Sequence, residues 1–197
     1  MLKNRFYSLC QNFTTNEKLI AKLWIEIEKA HTVPTRHYHT LIHLQQIYKA
    51  LPSTSIVSEF AIFYHDIVYD VSRNDNEEKS ALRCEKRLNY LGVSTKLKNQ
   101  ITQLIRETKT HKASSATNAL FLDADLAILG SDWKRYKEYL QNVRKEYLIY
   151  NDDVYNLGRK KVLKQFLKQE RIYISEYFYE RYEQQARKNI EQELLII

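Results

Sequence analysis

A chain of 197 residues with 44% hydrophobic side chains is long enough for one good core and too apolar for a disordered segment. Only 3 Gly and 2 Pro argue against a many-stranded sheet, which needs a turn about every 8–12 residues; they suit long helices joined by short polar loops. The net charge of +7 and a pI near 9.2 are compatible with nucleic acid or a small anionic substrate, yet Lys and Arg are spread along the chain with no block of like charges, which favours a solvated, mildly basic surface over a nucleic-acid interface.

The two cysteines, Cys10 and Cys84, have neither CxxC nor zinc-knuckle spacing. Met1-Leu2-Lys3-Asn4-Arg5 lacks an apolar signal core, and no run approaches the ~20 apolar residues of a membrane span. The expectation is a cytoplasmic protein with free thiols and no membrane partner.

The first predicted helix starts near Thr15-Asn16, where a side-chain oxygen can cap it, and carries Leu19, Ile20, Leu23, Trp24 and Ile27 at helical spacing. After Pro34, Thr35 to Leu44 opens a second, whose stripe of Leu44, Ile47, Tyr48 and Leu51 runs to Pro52. On it His39 and His43 lie four apart, on one face. Ser53 to Ser55 caps a third helix, through Ile56, Val57, Phe60, Ala61, Tyr64 and Val68, apolar nearly all round and therefore central. Asn76 to Tyr90 forms the next, with Glu77 and Glu78 in its first turn and Gly92 ending it. Ser94 to His111 follows. Leu120 to Gly130, apolar with embedded Asp123 and Asp125, reads as a short buried helix rather than a strand. Ser131-Asp132 and Asp152-Asp153 cap two further helices, and a last one runs from Ser175 toward Ile197. No linker divides the sequence, so it reads as one all-α domain, a helical bundle over 1–197, with a core over about 36–130 and later helices covering a pocket.

The most apolar run, Phe60 to Tyr69, contains His65-Asp66. A buried imidazole beside a buried carboxylate needs a partner. His43 upstream and Asp125 downstream sit in apolar stripes of other helices, so that the four converge as candidate ligands of a divalent ion. Two histidines with carboxylates suit Mn, Fe, Co, Ni or Zn better than Ca, and leave Mg open. Singly, each of these residues reads as a core histidine or a helix cap; the pattern gains force from their number.

The order His43, His65-Asp66, Asp125 in a helical chain resembles the H…HD…D signature of the HD-domain metal-dependent phosphohydrolase superfamily. Tyr38-His39-Thr40-Leu41-Ile42-His43 resembles the Tyr-His-Asn-x-x-His motif of cyclic-nucleotide phosphodiesterases, with Thr40 in place of Asn, and Ala124-Asp125-Leu126 is similar to their Ala-Asp-Leu. That last likeness is what selects Asp125 over Asp123. Phe63 to Asp70, Asn76 to Ala81, Asp123 to Gly130, Arg144 to Tyr147 and Gly158-Arg159 resemble a group of small bacterial HD-type proteins, from about Arg36 to the last helix.

The resemblance implies hydrolysis of a phosphoester or phosphoanhydride of a nucleotide or similar small phosphorylated substrate, by water activated on a metal held by His43, His65, Asp66 and Asp125. His39 would protonate the leaving oxygen or orient a ligand, and Glu77 would act as base or merely cap its helix. Arg36, Arg144 and Arg159 are candidates to grip phosphate, and His111 to bind phosphate or a second ion. The fifteen tyrosines read as packing first, with a few free to line a nucleoside pocket. From a different class, a helical nucleotide- or nucleic-acid-binding module with a vestigial metal site stays open, as does a homo-oligomer.

Overall fold

The computed structural model describes residues 1–197 as ten α-helices and one short 3-10 helix, with no strand. The all-α class expected from the scarcity of turn residues is the observed one. No helix is long and apolar enough to cross a membrane. The chain divides into two compact units, Met1–Ser114 and Ser115–Ile197.

The first unit holds α1 (Leu2–Gln11), α2 (Glu17–His31), α3 (Leu41–Ala50), α4 (Ile56–Tyr64), α5 (Asn76–Tyr90) and α6 (Thr95–Glu107). α4 is its centre and packs against α1, α3, α5 and α6. Phe60 through Tyr64 are fully buried, as an all-round apolar helix requires. Phe63 meets Phe6 edge-on at 5.0 Å and also packs on Trp24 and Tyr48. Ser55 and Ser58 close a reciprocal capping box at its start. Gly92 turns left-handed after α5 (φ 74°), and the next amide, of Val93, reaches back to Leu88 O, the usual glycine-led stop.

Three local expectations change. α1 precedes the first predicted helix, burying Leu2, Phe6, Leu9 and Cys10 at helical spacing. α3 begins at Leu41, not Thr35: the Thr40 hydroxyl accepts the Ile42 amide and acts as N-cap, so His39 lies in the turn before the helix. α4 stops at Tyr64, making His65 its C-cap.

The second unit holds α7 (Ala116–Asp125), the 3-10 helix Ala127–Gly130, α8 (Trp133–Glu146), α9 (Asp152–Lys168) and α10 (Glu176–Ile196). The cap of α9 is Asn151, with Asp152 and Asp153 in the first turn, where they complement the dipole instead of closing the end. α10 lies against the 3-10 helix, α7 and α9. The approach is close because residue 130 is glycine: a Cβ there would stand 2.6 Å from the Tyr182 carbonyl oxygen. Asn189 Nδ2 donates to Leu129 O and Ser131 O, both at 2.8 Å, and so satisfies the carbonyls of that tight turn.

Candidate metal centre

The site grows out of the end of α4. A helix leaves its last carbonyls without intrahelical amides. The His65 side chain turns back onto this end: its Nδ1 donates to Ile62 O and to Ala61 O, which also accepts the His65 amide, each ring contact at 3.1 Å. Both partners are acceptors, so Nδ1 carries the hydrogen and Nε2 presents a lone pair. That Nε2 stands 3.1 Å from Asp66 Oδ2 and 3.3 Å from His43 Nε2, brought in by the first turn of α3. His43 Nε2 and Asp66 Oδ2 are 3.8 Å apart. The imidazoles are 3% and 1% exposed and Asp66 19%, so the carboxylate forms the solvent side of the cluster.

These three residues fit a divalent ion. Two imidazole nitrogens facing each other at 3.3 Å in a dry interior repel unless a proton or a cation lies between them. Donor atoms roughly 2.0–2.2 Å from one ion, at angles near 90–110°, stand roughly 3.0–3.5 Å apart. The spacings of 3.1 and 3.3 Å fall in that range, and the third, 3.8 Å, closes with a small turn of the Asp66 side chain. All three ligand atoms lie within 4.8 Å of one another.

Around the cluster, His39 stacks on Tyr69 with ring centres 4.1 Å apart and meets the His43 ring edge-on at 5.6 Å. The two histidines are therefore neighbours although no helix joins them. Arg36 is buried, donates to His39 O at 3.2 Å and Ile67 O at 3.5 Å, and lies 5.4 Å from the centre of the Tyr69 ring. It thus ties the turn before α3 to the residue following Asp66. This expected phosphate-binding residue is thereby held next to the His-Asp pair.

His31 was not expected here. It ends α2, is 1% exposed, and donates Nδ1 to Ile27 O at 2.9 Å. Burial, then the neighbouring Arg36 guanidinium, hold its pKa down to about 3, while Asp66 opposes the shift. The signal was available: His31 continues the Leu23, Ile27 stripe at the next helical step.

Glu77, His111 and Asp125 were the remaining candidates at the centre. Glu77 is half-buried in the first turn of α5, and His111 follows α6 with a left-handed backbone (φ 51°), its amide on Glu107 O. Neither belongs to the three-residue cluster. In the second unit, Asp125 is the partly buried last residue of α7. Asp123 is almost wholly buried and accepts the amides of Ile174 and Ser175 and the Ser175 hydroxyl, at 2.8, 2.7 and 2.5 Å. It is a brace for the start of α10.

Arg144 donates to Asp152 and to the carbonyls of Tyr147 and Tyr150, closing the loop between α8 and α9. Arg159 forks onto Glu193 at 2.7 and 3.0 Å and gives its remaining nitrogen to Tyr139. Tyr136 donates to the same Glu193. These two arginines are engaged as internal ties, and a phosphate would have to displace a carboxylate to reach either one.

The chain matches no family model, no curated protein and no solved structure among those compared.

Proposed function

We propose that the chain is an HD-type metal-dependent phosphohydrolase acting on a nucleotide or a similar small phosphorylated compound. The observation that carries the reading is the convergence of His43, His65 and Asp66, with His65 fixed by two backbone carbonyls in the tautomer that leaves Nε2 bare. The three residues, all in the first unit, carry it without Asp125. A divalent ion bound there supplies a Lewis acid for a phosphoryl oxygen and lowers the pKa of water toward ~7.

The chain's own groups supply the rest. Arg36, held between two carbonyls beside the His-Asp pair, offers its guanidinium to phosphate oxygens and to the charge that builds on them. His39, partly exposed and stacked on Tyr69, is placed to give a proton to the leaving oxygen. The buried body of α4 keeps the pair from swinging with solvent.

Elemental analysis of the purified protein, followed by hydrolysis of a nucleotide panel with Mn, Mg, Co and Ni, tests the reading. Stoichiometric metal and a hydrolysed nucleotide are expected, with both lost in His65→Ala and Asp66→Ala. Protein that neither carries nor takes up metal, or a His65→Ala variant that hydrolyses as well as the parent, refutes it.

A further inference from the structure

α9 buries little of itself. Of its 17 residues only Leu163 is fully inside, while Val154 and Leu157 are 54% and 74% exposed. A groove of about 860 Å³ runs along this helix, lined by Val154, Leu157, Gly158, Lys161, Lys164 and Lys168 among others. These positions repeat every three or four residues, so they form one face roughly 20 Å long. Its first half is apolar and its second half is a row of ammonium groups. Lys160 adds a fourth lysine.

We propose that this face docks an acidic amphipathic helix of a partner protein, its apolar side chains on Val154 and Leu157 and its carboxylates on Lys161, Lys164 and Lys168. The lysines supply the first reason. None of the four forms an ion pair within the chain. The pairs Lys160–Lys164, Lys161–Lys164 and Lys164–Lys168 stand one turn apart, and like charges at that spacing destabilise a helix. An acidic partner relieves that repulsion and matches the charge of the groove.

The shape supplies the second reason. A seam with helical periodicity is read by another helix. At Gly158 a Cβ would meet nothing within 4 Å, so a partner backbone has room to approach there. An anionic bilayer fits less well: the apolar part is narrow, and Asp152 and Asp153, exposed beside Val154, would face the headgroups. Nucleic acid fits less well too, because the groove offers no aromatic side chain for stacking and its apolar end has nothing for a phosphate.

The test uses the full chain and a synthetic helix-forming peptide with leucines over two turns followed by glutamates at three- and four-residue spacing. A second peptide carries lysines in place of the glutamates. Fluorescence anisotropy is expected to show binding of the acidic peptide that weakens with salt. The double variant Lys161→Glu/Lys164→Glu should lose roughly tenfold or more in affinity and gain affinity for the lysine peptide. Leu157→Ser should weaken the acidic peptide without that reversal, and unchanged melting curves for both variants keep the comparison on the surface. Acidic-peptide binding that is absent, or indifferent to both variants, overturns the proposal. So does binding of phosphatidylglycerol vesicles or single-stranded RNA that is lost in the double variant while the peptide does not bind.

Discussion

Asp123→Asn isolates what a single buried carboxylate does for the second unit. Asp123 is 1% exposed, and its two oxygens accept three hydrogen bonds: from the Ile174 amide, the Ser175 amide and the Ser175 hydroxyl. Ser175 is the N-cap of α10, yet its own side chain caps nothing in that helix. The negative charge that a 21-residue helix favours at its start is therefore lent by α7. Asparagine keeps the shape and removes the charge. Its NH2 must face an N–H or O–H donor, so at least one charge-assisted bond, worth about 1.5–3 kcal/mol, is lost and the others weaken to neutral strength. A total near 3 kcal/mol, at about 2–4 °C per kcal/mol for a chain of this size, lowers Tm by ~6–12 °C. Differential scanning calorimetry measures it. Ser175→Ala, which removes only the hydroxyl contribution, should move the same transition by about a third as much. A Tm for Asp123→Asn within ~2 °C of the parent refutes the reasoning, because a carboxylate lost at so small a cost would not be the brace of α10.

Other expectations follow from single features. Burial, helped by Arg36, depresses the His31 imidazole to about 3, so between pH 6.5 and 3 the unfolded chain holds a proton that the folded chain refuses. Stability should then fall as pH drops below ~6.5, by up to about 1.4 kcal/mol per pH unit from this group, and urea midpoints at pH 7 and pH 5 should differ less in His31→Gln than in the parent. Gly130→Ala puts a methyl 2.6 Å from Tyr182 O and 2.7 Å from Tyr182 Cβ, and neither can retreat without moving α10. A loss of about 2–3 kcal/mol with unchanged far-ultraviolet circular dichroism is expected, and a neutral or stabilising effect would contradict the close approach. Cys10 and Cys84 are buried free thiols; burial raises the pKa of both, that of Cys10 to about 12. Neither should react with a thiol reagent in the native protein, both should react in urea, and rapid native labelling would show that the core opens.

What the sequence made legible was local. The bounds of α5, Asn76 to Tyr90, follow from its acidic first turn and the glycine after it, and they are the observed ones. α4 as the central helix followed from an apolar run with no polar face, and Leu120 to Gly130 proved helical. The proximity of His43 to His65-Asp66 was also readable, because each sits where an apolar stripe turns inward. The roles of Asp123, Arg144 and Arg159 were not. Asp123 is fixed by residues about 50 positions downstream and Arg159 by Glu193, and no short-range periodicity encodes such pairings. The start of α3 was missed for a different reason. His39 and His43 have helical spacing, but Thr40 caps the helix between them and leaves His39 in the turn. The Asn found at this position in the resembling motif is an equally good cap, so the Thr40 difference preserves the local geometry it first put in doubt.

The helix end, rather than the helix, makes His65 useful. Had α4 continued to Val68, as the apolar periodicity suggested, His65 would be one more inward side chain in a regular ladder. Because α4 stops at Tyr64, the His65 ring turns back onto the helix end, where Ile62 O and Ala61 O, the latter shared with the His65 amide, set the ring and its tautomer. The same terminus carries the negative end of the helix dipole, which favours a cation close by. Asp66 follows at once and adds a full negative charge on the solvent side. The orientation of the imidazole, the dipole and the carboxylate all act toward attracting positive charge to one point. The His43 nitrogen, 3.3 Å from that of His65, is tolerable there only with such a charge or a shared proton between the rings. A short helix that ends one residue before a His-Asp pair is therefore the structural unit on which the metal-site reading stands.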